Sequence, residues 1–358
     1  MPNKKRKLLA WALIIACLIL SALIHIGSKQ VTEVFVEVEN LESTPGITLM
    51  DPNAGAIEIV KVNDNSGIKV NWDPVSIHLN DTGKCRVEQV GKFNVQVRGR
   101  LPNGNEYPVV IDSGNPAHMA VKTTVVLENA LVILPFEQLP KGQGGFCRLG
   151  ELKIGDMKIV NPACTYWTGH YERRFLGWTT WKQKDINLGL GLIQSFVYVL
   201  IDNISQEVEF SVEGFVAEPN EAWASYPMII EPGQHGNIRL MVDIAVAGQK
   251  RLIMLDTGAG PGLILTEKIW AKISDGLHVL TTTGSFVSSP HSGRVSANKV
   301  VVKELGIGGA LIPNAAVFVM ANENPYGEDD FTLGMGFFKE TTVVLDFGHN
   351  LLWIKNPG

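Results

Sequence analysis

The sequence predicts an all-β, bilobal protein with few short helices, whose two lobes are related by a pseudo-twofold axis and are preceded by an N-terminal transmembrane helix. Three observations predict this fold class: short Val-, Ile- and Leu-rich runs separated by turn residues, a four-segment internal repeat, and a long apolar segment near the N-terminus. With 358 residues, 45% hydrophobic and 19% charged, the chain is long enough for two domains and too apolar to be disordered. Its formal net charge of -5 gives no reason to expect nucleic-acid binding.

The N-terminal segment predicts a membrane anchor. Four consecutive basic residues at 4–7 precede residues 8–26, in which only two side chains are polar. That apolar stretch is long enough to span a bilayer as a helix, and the positive-inside rule places the rest of the chain outside the cytoplasm. A cleaved signal peptide would have a shorter apolar region, and a lipobox-like context at Cys17 leaves a cleaved lipoprotein as an alternative. We expect residues 1–31 to form a single-pass anchor with the large domain extracytoplasmic.

Most of the remaining chain has the composition of β strands. Runs rich in Val, Ile and Leu alternate with Gly, Pro, Asn and Asp turns. They include residues 93–97, 109–111, 197–201, 300–302 and 343–345. One convincing amphipathic helix covers residues 266–273, where Thr266 is a suitable N-cap and Gly276 a suitable stop.

An internal repeat divides the chain into two halves. Four segments recur in the same order, 144–153 positions apart. The matching pairs are 91–97 with 236–242, 107–114 with 251–258, 151–155 with 304–308, and 188–193 with 333–338. The changes of offset indicate extra residues in the second half around the helix at 266–273, for which the first half has no clear counterpart. They also indicate extra residues in the first half within the aromatic-rich stretch 166–181, which we expect to pack an inserted loop onto the body.

The repeat predicts two lobes, residues 32–214 and residues 215–358. A segment with several prolines, residues 217–236, joins them. Residues 32–90 precede the repeat, and the sequence leaves open whether they add strands to the first lobe or form a small cap. Because both lobes belong to one chain, we expect a monomer in which they pair intramolecularly.

Two cysteines bracket a predicted hairpin whose turn is at residues 155–156. Counting outward from that turn places Cys147 and Cys164 opposite each other, close enough to be bridged. Export would put them in an oxidising compartment, so we expect a disulfide, with two buried thiols as the alternative. Cys85 has no obvious partner, and a zinc site that included His170 would lack a fourth ligand. Neither a metal nor another cofactor is expected.

Each lobe places one aspartate at the end of an apolar strand, in Asp112-Ser113-Gly114 and in Asp256-Thr257-Gly258. A buried carboxylate is costly unless it is hydrogen-bonded or shares a proton. Two such sites related by a pseudo-twofold axis would solve this problem by meeting. The pair would then hold one proton, so that one Asp acts as general base on a water while the other donates to a substrate carbonyl.

These triplets, together with the strands and glycines around them, resemble the pepsin and retropepsin clan of aspartic proteases. The match is closest to the retropepsin-like proteins of bacteria, here with two lobes in one chain. Residues 253–260 and 332–338 fit the family pattern well, and the resemblance covers about residues 91–354.

The resemblance implies roles for the residues of both triplets. Asp112 and Asp256 would be catalytic, and Ser113 and Thr257 would brace the active-site loops, while Gly114 and Gly258 let the backbones approach. It also implies β-hairpin flaps that close over an extended peptide. These flaps would lie near residues 282–292 in the second lobe and residues 141–146 in the first.

The predicted function is that of a membrane-anchored aspartic endopeptidase that hydrolyses peptide bonds of a polypeptide substrate without a metal or covalent intermediate. After its triplet the first lobe continues Asn115-Pro116, where the family usually has a small residue. This departure leaves a catalytically inactive module, which binds an extended peptide or an envelope partner, as the alternative. A third hypothesis makes only the second lobe functional, paired with its counterpart in another chain.

Overall fold

The computed structural model describes residues 31–37, 47–49, 59–62, 67–70, 74–91, 94–135, 144–175, 178–232, 238–289, 293–321 and 331–355. The predicted anchor at residues 8–26 lies outside these ranges. None of the helices inside them has both the length and the apolar character that a bilayer crossing requires.

The described chain is mostly β strand and forms two large sheets of 11 and 13 strands, which confirms the all-β, two-sheet part of the prediction. The N-terminal strands are β1 (Val31–Glu37), β2 (Thr48–Leu49), β3 (Ile59–Val62), β4 (Gly67–Val70), β5 (Ser76–His78) and β6 (Lys84–Glu88). The first half of the repeat contains β7 (Gln96–Arg100), β8 (Glu106–Asp112), β9 (Met119–Lys122), helix α1 (Thr123–Asn129), β10 (Val132–Pro135), β11 (Gly145–Arg148), β12 (Glu151–Ile154), β13 (Met157–Val160), β14 (Cys164–Trp167), β15 (Gly169–Phe175), β16 (Trp178–Lys182), β17 (Ile186–Gly189), helix α2 (Leu190–Ile193), β18 (Tyr198–Asp202) and β19 (Glu207–Ser211).

The second half follows the connecting strand β20 (Trp223–Pro232). It contains β21 (Ile238–Val246), β22 (Gln249–Asp256), β23 (Leu263–Thr266), helix α3 (Glu267–Ile273), β24 (Val279–Ser289), β25 (Gly293–Ile307), β26 (Ala310–Met320), β27 (Thr332–Gly334), a 3-10 helix (Met335–Phe337), β28 (Thr342–Asp346) and β29 (Leu351–Lys355). The predicted helix is therefore confirmed as α3, with Thr266 at its N-cap.

The two halves repeat one strand arrangement. In the first half, β17 lies between β8, to which it is parallel, and β9, to which it is antiparallel. In the second half, β27 lies in the same way between β22 and β23. The neighbouring strands β8 and β23 contain continuous buried apolar runs, residues 109–111 and 263–265, as expected of strands that are covered on both faces.

The last strands of each half meet in a shared antiparallel sheet with the order β20-β29-β28-β18-β19-β6. Across its centre Tyr198 pairs with Asp346, and Ile201 pairs with Val343. In the repeat Ile201 corresponds to Asp346 and Tyr198 to Val343. Exchanging the two halves therefore turns each of these pairs into the other. The reciprocal pairing places the pseudo-twofold axis between β18 and β28.

The expectation that the first lobe lacks a helix equivalent to α3 is wrong. Helix α1 follows β9 just as α3 follows β23. Its sequence contains two Thr and two Val, whose branched side chains favour strands, but residues Thr123 to Val126 are buried and tertiary packing overrides that preference. The extra residues of the second half lie instead in the β24–β25 hairpin, whose strands have 11 and 15 residues against 4 and 4 in β10 and β11.

Four strands of the N-terminal extension pair with strands of the first half, whereas β3 and β4 form a two-stranded sheet of their own. Strand β2 pairs with β10, β5 with β13, and β6 with β19. Strand β1 joins the β15–β16 hairpin, which is the insertion in the first half, in a three-stranded sheet. Within this insertion Tyr166 is buried, whereas Trp178 and Trp181 are 79% and 45% exposed, so its aromatic residues only partly pack onto the body.

The predicted cysteine pairing agrees with the strand register. The turn of the β12–β13 hairpin follows Ile154, and Cys147 lies directly opposite Cys164 on β11 and β14. Their sulfurs are 3.3 Å apart, whereas a disulfide bond measures about 2.05 Å. Both are free, buried thiols in this structure, so the disulfide is not formed here and stays a prediction for oxidising conditions.

Candidate active site

The two triplets lie at equivalent strand ends. Strand β8 ends at Asp112, which is level with Gly189 of the parallel strand β17. Strand β22 ends at Asp256, which is level with Gly334 of the parallel strand β27. Since the three residues directly before each aspartate are buried and apolar, each carboxyl lies at the edge of a rigid sheet.

The loops that follow the triplets are held in the same way in both lobes. The backbone N–H of Leu190 donates to the carbonyl of Asn115 at 2.7 Å, and that of Met335 donates to the carbonyl of Ala259 at 2.9 Å. The departure at Asn115 therefore does not change how the first loop is anchored. The Asn115 side chain instead closes a local turn by accepting the N–H of Ala117 at 3.1 Å.

Four reciprocal hydrogen bonds join the two triplets. The Oγ of Ser113 accepts the backbone N–H of Thr257 at 3.0 Å, and the Oγ1 of Thr257 accepts that of Ser113 at 2.9 Å. Each hydroxyl also donates to a carbonyl of the opposite strand at 2.7 Å, Ser113 to Leu255 and Thr257 to Ile111. Both side chains are buried, so each polar group is satisfied only by the other lobe. This network locks the two strand ends together.

The carboxyl groups of Asp112 and Asp256 meet at this junction, each against the glycine of the other triplet. The close approach depends on the glycines of the triplets. A Cβ on Gly114 would lie 2.5 Å from the Cγ of Asp256, and a Cβ on Gly258 would lie 2.5 Å from the Cγ of Asp112. Any larger residue at either position would push the opposite carboxyl away.

The two carboxyls have unequal electrostatic environments. Burial, then the negative charge of Asp256 and the hydrogen bond to it, raise the pKa of Asp112 well above its ordinary value. Burial also raises the pKa of Asp256, but the hydrogen bond from Asp112 and the backbone N–H groups of Gly258 and Ala259 oppose that rise. Both of these N–H groups donate to Oδ1 of Asp256, at 2.9 and 3.0 Å. The upward shift of the pKa is therefore the larger one at Asp112.

Sequence reasoning missed one residue at this site. The side-chain Nδ2 of Asn187, on β17, donates to Oδ2 of Asp112 at 2.6 Å. The available signal was a polar residue two positions before Gly189 in an otherwise apolar strand next to the aspartate strand. The repeat places Thr332 at the equivalent position of the second lobe.

The aspartate pair lies in a cleft of about 1300 Å³ between the lobes. The first-lobe wall is mainly polar and includes Asn94, Lys122, Tyr171, Gln183, Asp185 and Asn187. The second-lobe wall is mainly apolar and includes Met254, Ile264, Phe286, Val287, Phe318 and Phe337. Two of these, Phe286 and Val287, belong to the long β24–β25 hairpin, which occupies the position predicted for the second-lobe flap. The tips of both predicted flaps, residues 290–292 and 141–143, lie outside the described residues.

No protein-family model matches this chain. No curated protein sequence matches it either. Among solved structures, an aspartic proteinase from Irpex lacteus is similar over 77% of this chain and 98% of its own, with 10% identity and a TM-score of 0.46. Basic 7S globulin from soybean is similar over 79% and 97%, with 12% identity and a TM-score of 0.40. Conglutin gamma, a basic 7S globulin from lupine seeds, is similar over 78% and 96%, with 10% identity and a TM-score of 0.41. The choice of activity depends on the geometry of the site itself.

Proposed function

We propose that this protein is an aspartic-type endopeptidase that hydrolyses peptide bonds of an extended polypeptide. One observation carries the proposal: two carboxyls from related strands meet across interlocked triplets, each against the glycine of the other, and both line one cleft. A pair of buried acids with only a structural role would not need to line a cleft of that volume. Such a pair is costly to bury and is characteristic of catalytic acid and base groups.

The unequal environments assign a role to each carboxyl. Ionised Asp256 takes a proton from the attacking water, whose oxygen bonds to the substrate carbonyl carbon. Asp112 donates its proton to the carbonyl oxygen, which gives a neutral tetrahedral diol. When the C–N bond breaks, Asp256 returns its proton to the leaving amine, and one hydroxyl of the diol returns a proton to Asp112. The dyad ends in its starting state, and neither a metal nor a covalent intermediate takes part.

The cleft suits a polypeptide rather than a small molecule. Its volume exceeds that of an ordinary small-molecule pocket, and residues of both halves line it. Its unlike walls would contact side chains on opposite sides of an extended chain, because successive side chains of such a chain alternate in direction. The β24–β25 hairpin borders the cleft and is placed to cover the bound segment.

The test is digestion of a peptide library by the full-length protein, with Asp256→Asn and Asp112→Asn as variants. Each substitution keeps the size of the side chain but removes the acid or the base, so we expect cleavage to fall at least about a thousandfold. The control is Asp275→Asn, which changes an exposed aspartate in the loop after α3 and should leave the rate unchanged. Thermal unfolding curves would show whether all three variants keep the fold.

A second experiment uses a statine-type inhibitor. Such an inhibitor places a hydroxyl where the attacking water binds. We expect it to block cleavage and to raise the melting temperature of the wild-type protein but not of Asp256→Asn. Full activity of Asp256→Asn would overturn the mechanism. Tight peptide binding by the wild type without any cleavage would instead favour the binding module.

A further inference from the structure

We propose that Asn187 is a positioning residue of the aspartate pair. Its side-chain amide holds Oδ2 of Asp112 and thereby sets the alkaline limit of activity. The inference rests on the proposed function and deepens it by identifying a side-chain donor that Asp112 receives from the strand next to its own. It concerns a residue that acts through Asp112 rather than on the substrate.

The two oxygens of Asp112 are held by donors from different elements. Its Oδ1 accepts the backbone N–H of Gly114 at 3.1 Å, and its Oδ2 accepts Nδ2 of Asn187 at 2.6 Å. The carboxyl plane is therefore constrained from both sides. In Asp256 the backbone N–H groups of Gly258 and Ala259 bind the same oxygen, Oδ1, and the backbone N–H of Gly114 also stabilises this carboxylate.

The difference comes from a single position in strands that are otherwise repeated. Asn187 pairs with Val110 in the β17–β8 register, and Thr332 pairs with Met254 in the β27–β22 register. The Thr side chain is shorter, and within the described ranges no hydrogen bond joins Thr332 to Asp256. One extended amide thus gives the first-lobe carboxyl a donor that the second-lobe carboxyl does not receive from its neighbouring strand.

The direction in which Asn187 shifts the pKa of Asp112 depends on whether its amide binds the ionised or the protonated carboxyl. An N–H donor stabilises the ionised carboxyl, so Asn187 lowers the pKa of Asp112, against the larger upward effects of burial and of Asp256. Because Asp112 holds the last proton of the pair, its pKa determines where activity is lost as the pH rises. Without Asn187 the proton would be retained to higher pH.

Other titratable groups share the cleft. They are Lys122 on β9, Tyr171 on β15, Asp185 before β17, Lys299 on β25, and Lys339 and Glu340 after the 3-10 helix. None of them is among the groups that shift the pKa of Asp112 most, which are Asp256, Asn187 and Gly114. Asn187 is therefore the side chain through which this pKa can be changed while the dyad is kept intact.

The experiment compares two variants with a matched control from the other lobe. Asn187→Leu keeps the size of the side chain and removes the donor, and Asn187→Thr installs the residue of the second lobe. Thr332→Val changes the equivalent position without touching Asp112. For each full-length protein, the pH profile of kcat/KM is measured on a peptide, and the aspartate side-chain carboxyl ¹³C signals are titrated by NMR without substrate.

We expect both Asn187 variants to move the alkaline limb upward by about one to two pH units, the worth of one hydrogen bond to a charged group. The NMR titration of Asp112 should move by the same amount, whereas Thr332→Val should leave both unchanged. An unchanged titration of Asp112 in either folded Asn187 variant would overturn the inference. If the wild type cleaves no peptide, the proposed function fails, and the NMR titration still decides the role of Asn187.

Discussion

The two lobes of this protein share one strand plan and equivalent triplets around their aspartates, but they differ farther from these residues. The parts that are repeated most faithfully, the aspartate strands and the reciprocal hydroxyl bonds, lie at the pseudo-twofold axis. The parts that differ lie farther out: the second lobe has the longer hairpin, and the first carries the β15–β16 insertion and the N-terminal strands. A duplicated chain therefore stays symmetric where its halves must bond to each other and diverges where neither constrains the other.

The cleft walls show the same divergence. The first lobe contributes Lys122, Gln183 and Asp185 to the cleft, whereas the second contributes Phe286 and Phe318. The two halves thus present different chemistry on the two sides of the carboxyl pair. A substrate bound between them would meet a polar surface on one side and an apolar surface on the other.

A further difference lies in the hairpins behind the cleft. In the repeat Cys147 and Cys164 correspond to Val300 and Val317, which are likewise paired across β25 and β26 and buried. The first lobe therefore has two thiols where the second has an apolar pair of similar size. Packing alone does not require cysteine there.

The largest expected effect concerns the two triplets, which are the most symmetric part of the molecule. Gly114→Ala and Gly258→Ala should each cost about 1–3 kcal/mol of unfolding free energy and abolish peptide cleavage, because each new Cβ would collide with the opposite carboxyl. Urea denaturation and the peptide assay would measure the two losses, which should be similar for the two lobes. Gly284→Ala, whose Cβ would meet nothing within 4 Å, is the control. Wild-type activity in Gly114→Ala or Gly258→Ala would mean that the carboxyls do not touch.

The second prediction concerns the thiol pair. Oxidation should join Cys147 and Cys164, which are 17 positions apart, and stabilise the first lobe by up to about 3 kcal/mol. Denaturation with and without a reductant, together with thiol counting, measures the gain. The double variant Cys147→Val and Cys164→Val copies the second lobe and should fold but lose the response to oxidation. An oxidised protein that keeps all its thiols free would contradict the predicted disulfide.

The smallest expected effect concerns the longer hairpin. Phe286 lines the cleft from β24, so Phe286→Ala should raise KM about tenfold, which corresponds to about 1.4 kcal/mol, with little change in stability. Leu280→Ala is the matched control, because Leu280 is on the same strand and similarly exposed but does not line the cleft. Equal KM values for these two variants would show that the hairpin does not contact the substrate.

Much of the fold could be predicted because the repeat and the apolar runs are local properties of the chain. The strand end at Asp112, the helix after Leu265 and the opposition of Cys147 to Cys164 all follow from short-range pattern and counting. Helix α1 could not be predicted in this way, since its β-branched residues favour a strand and only burial against the sheet makes it helical. The partners of β2, β5 and β6 were equally inaccessible, because the pairing of distant strands leaves no local signal.

By itself the sequence determined that two aspartate-bearing halves exist, that their strands are buried, and that each aspartate is followed by a hydroxyl and a glycine. Only the tertiary structure decided that burial and the charge of Asp256 raise the pKa of Asp112 and that Asn187 reaches this carboxyl from a neighbouring strand. The reason is physical: strand character and turns depend on neighbours along the chain. The ionisation of a carboxyl depends instead on burial and on donors that the fold brings from distant positions.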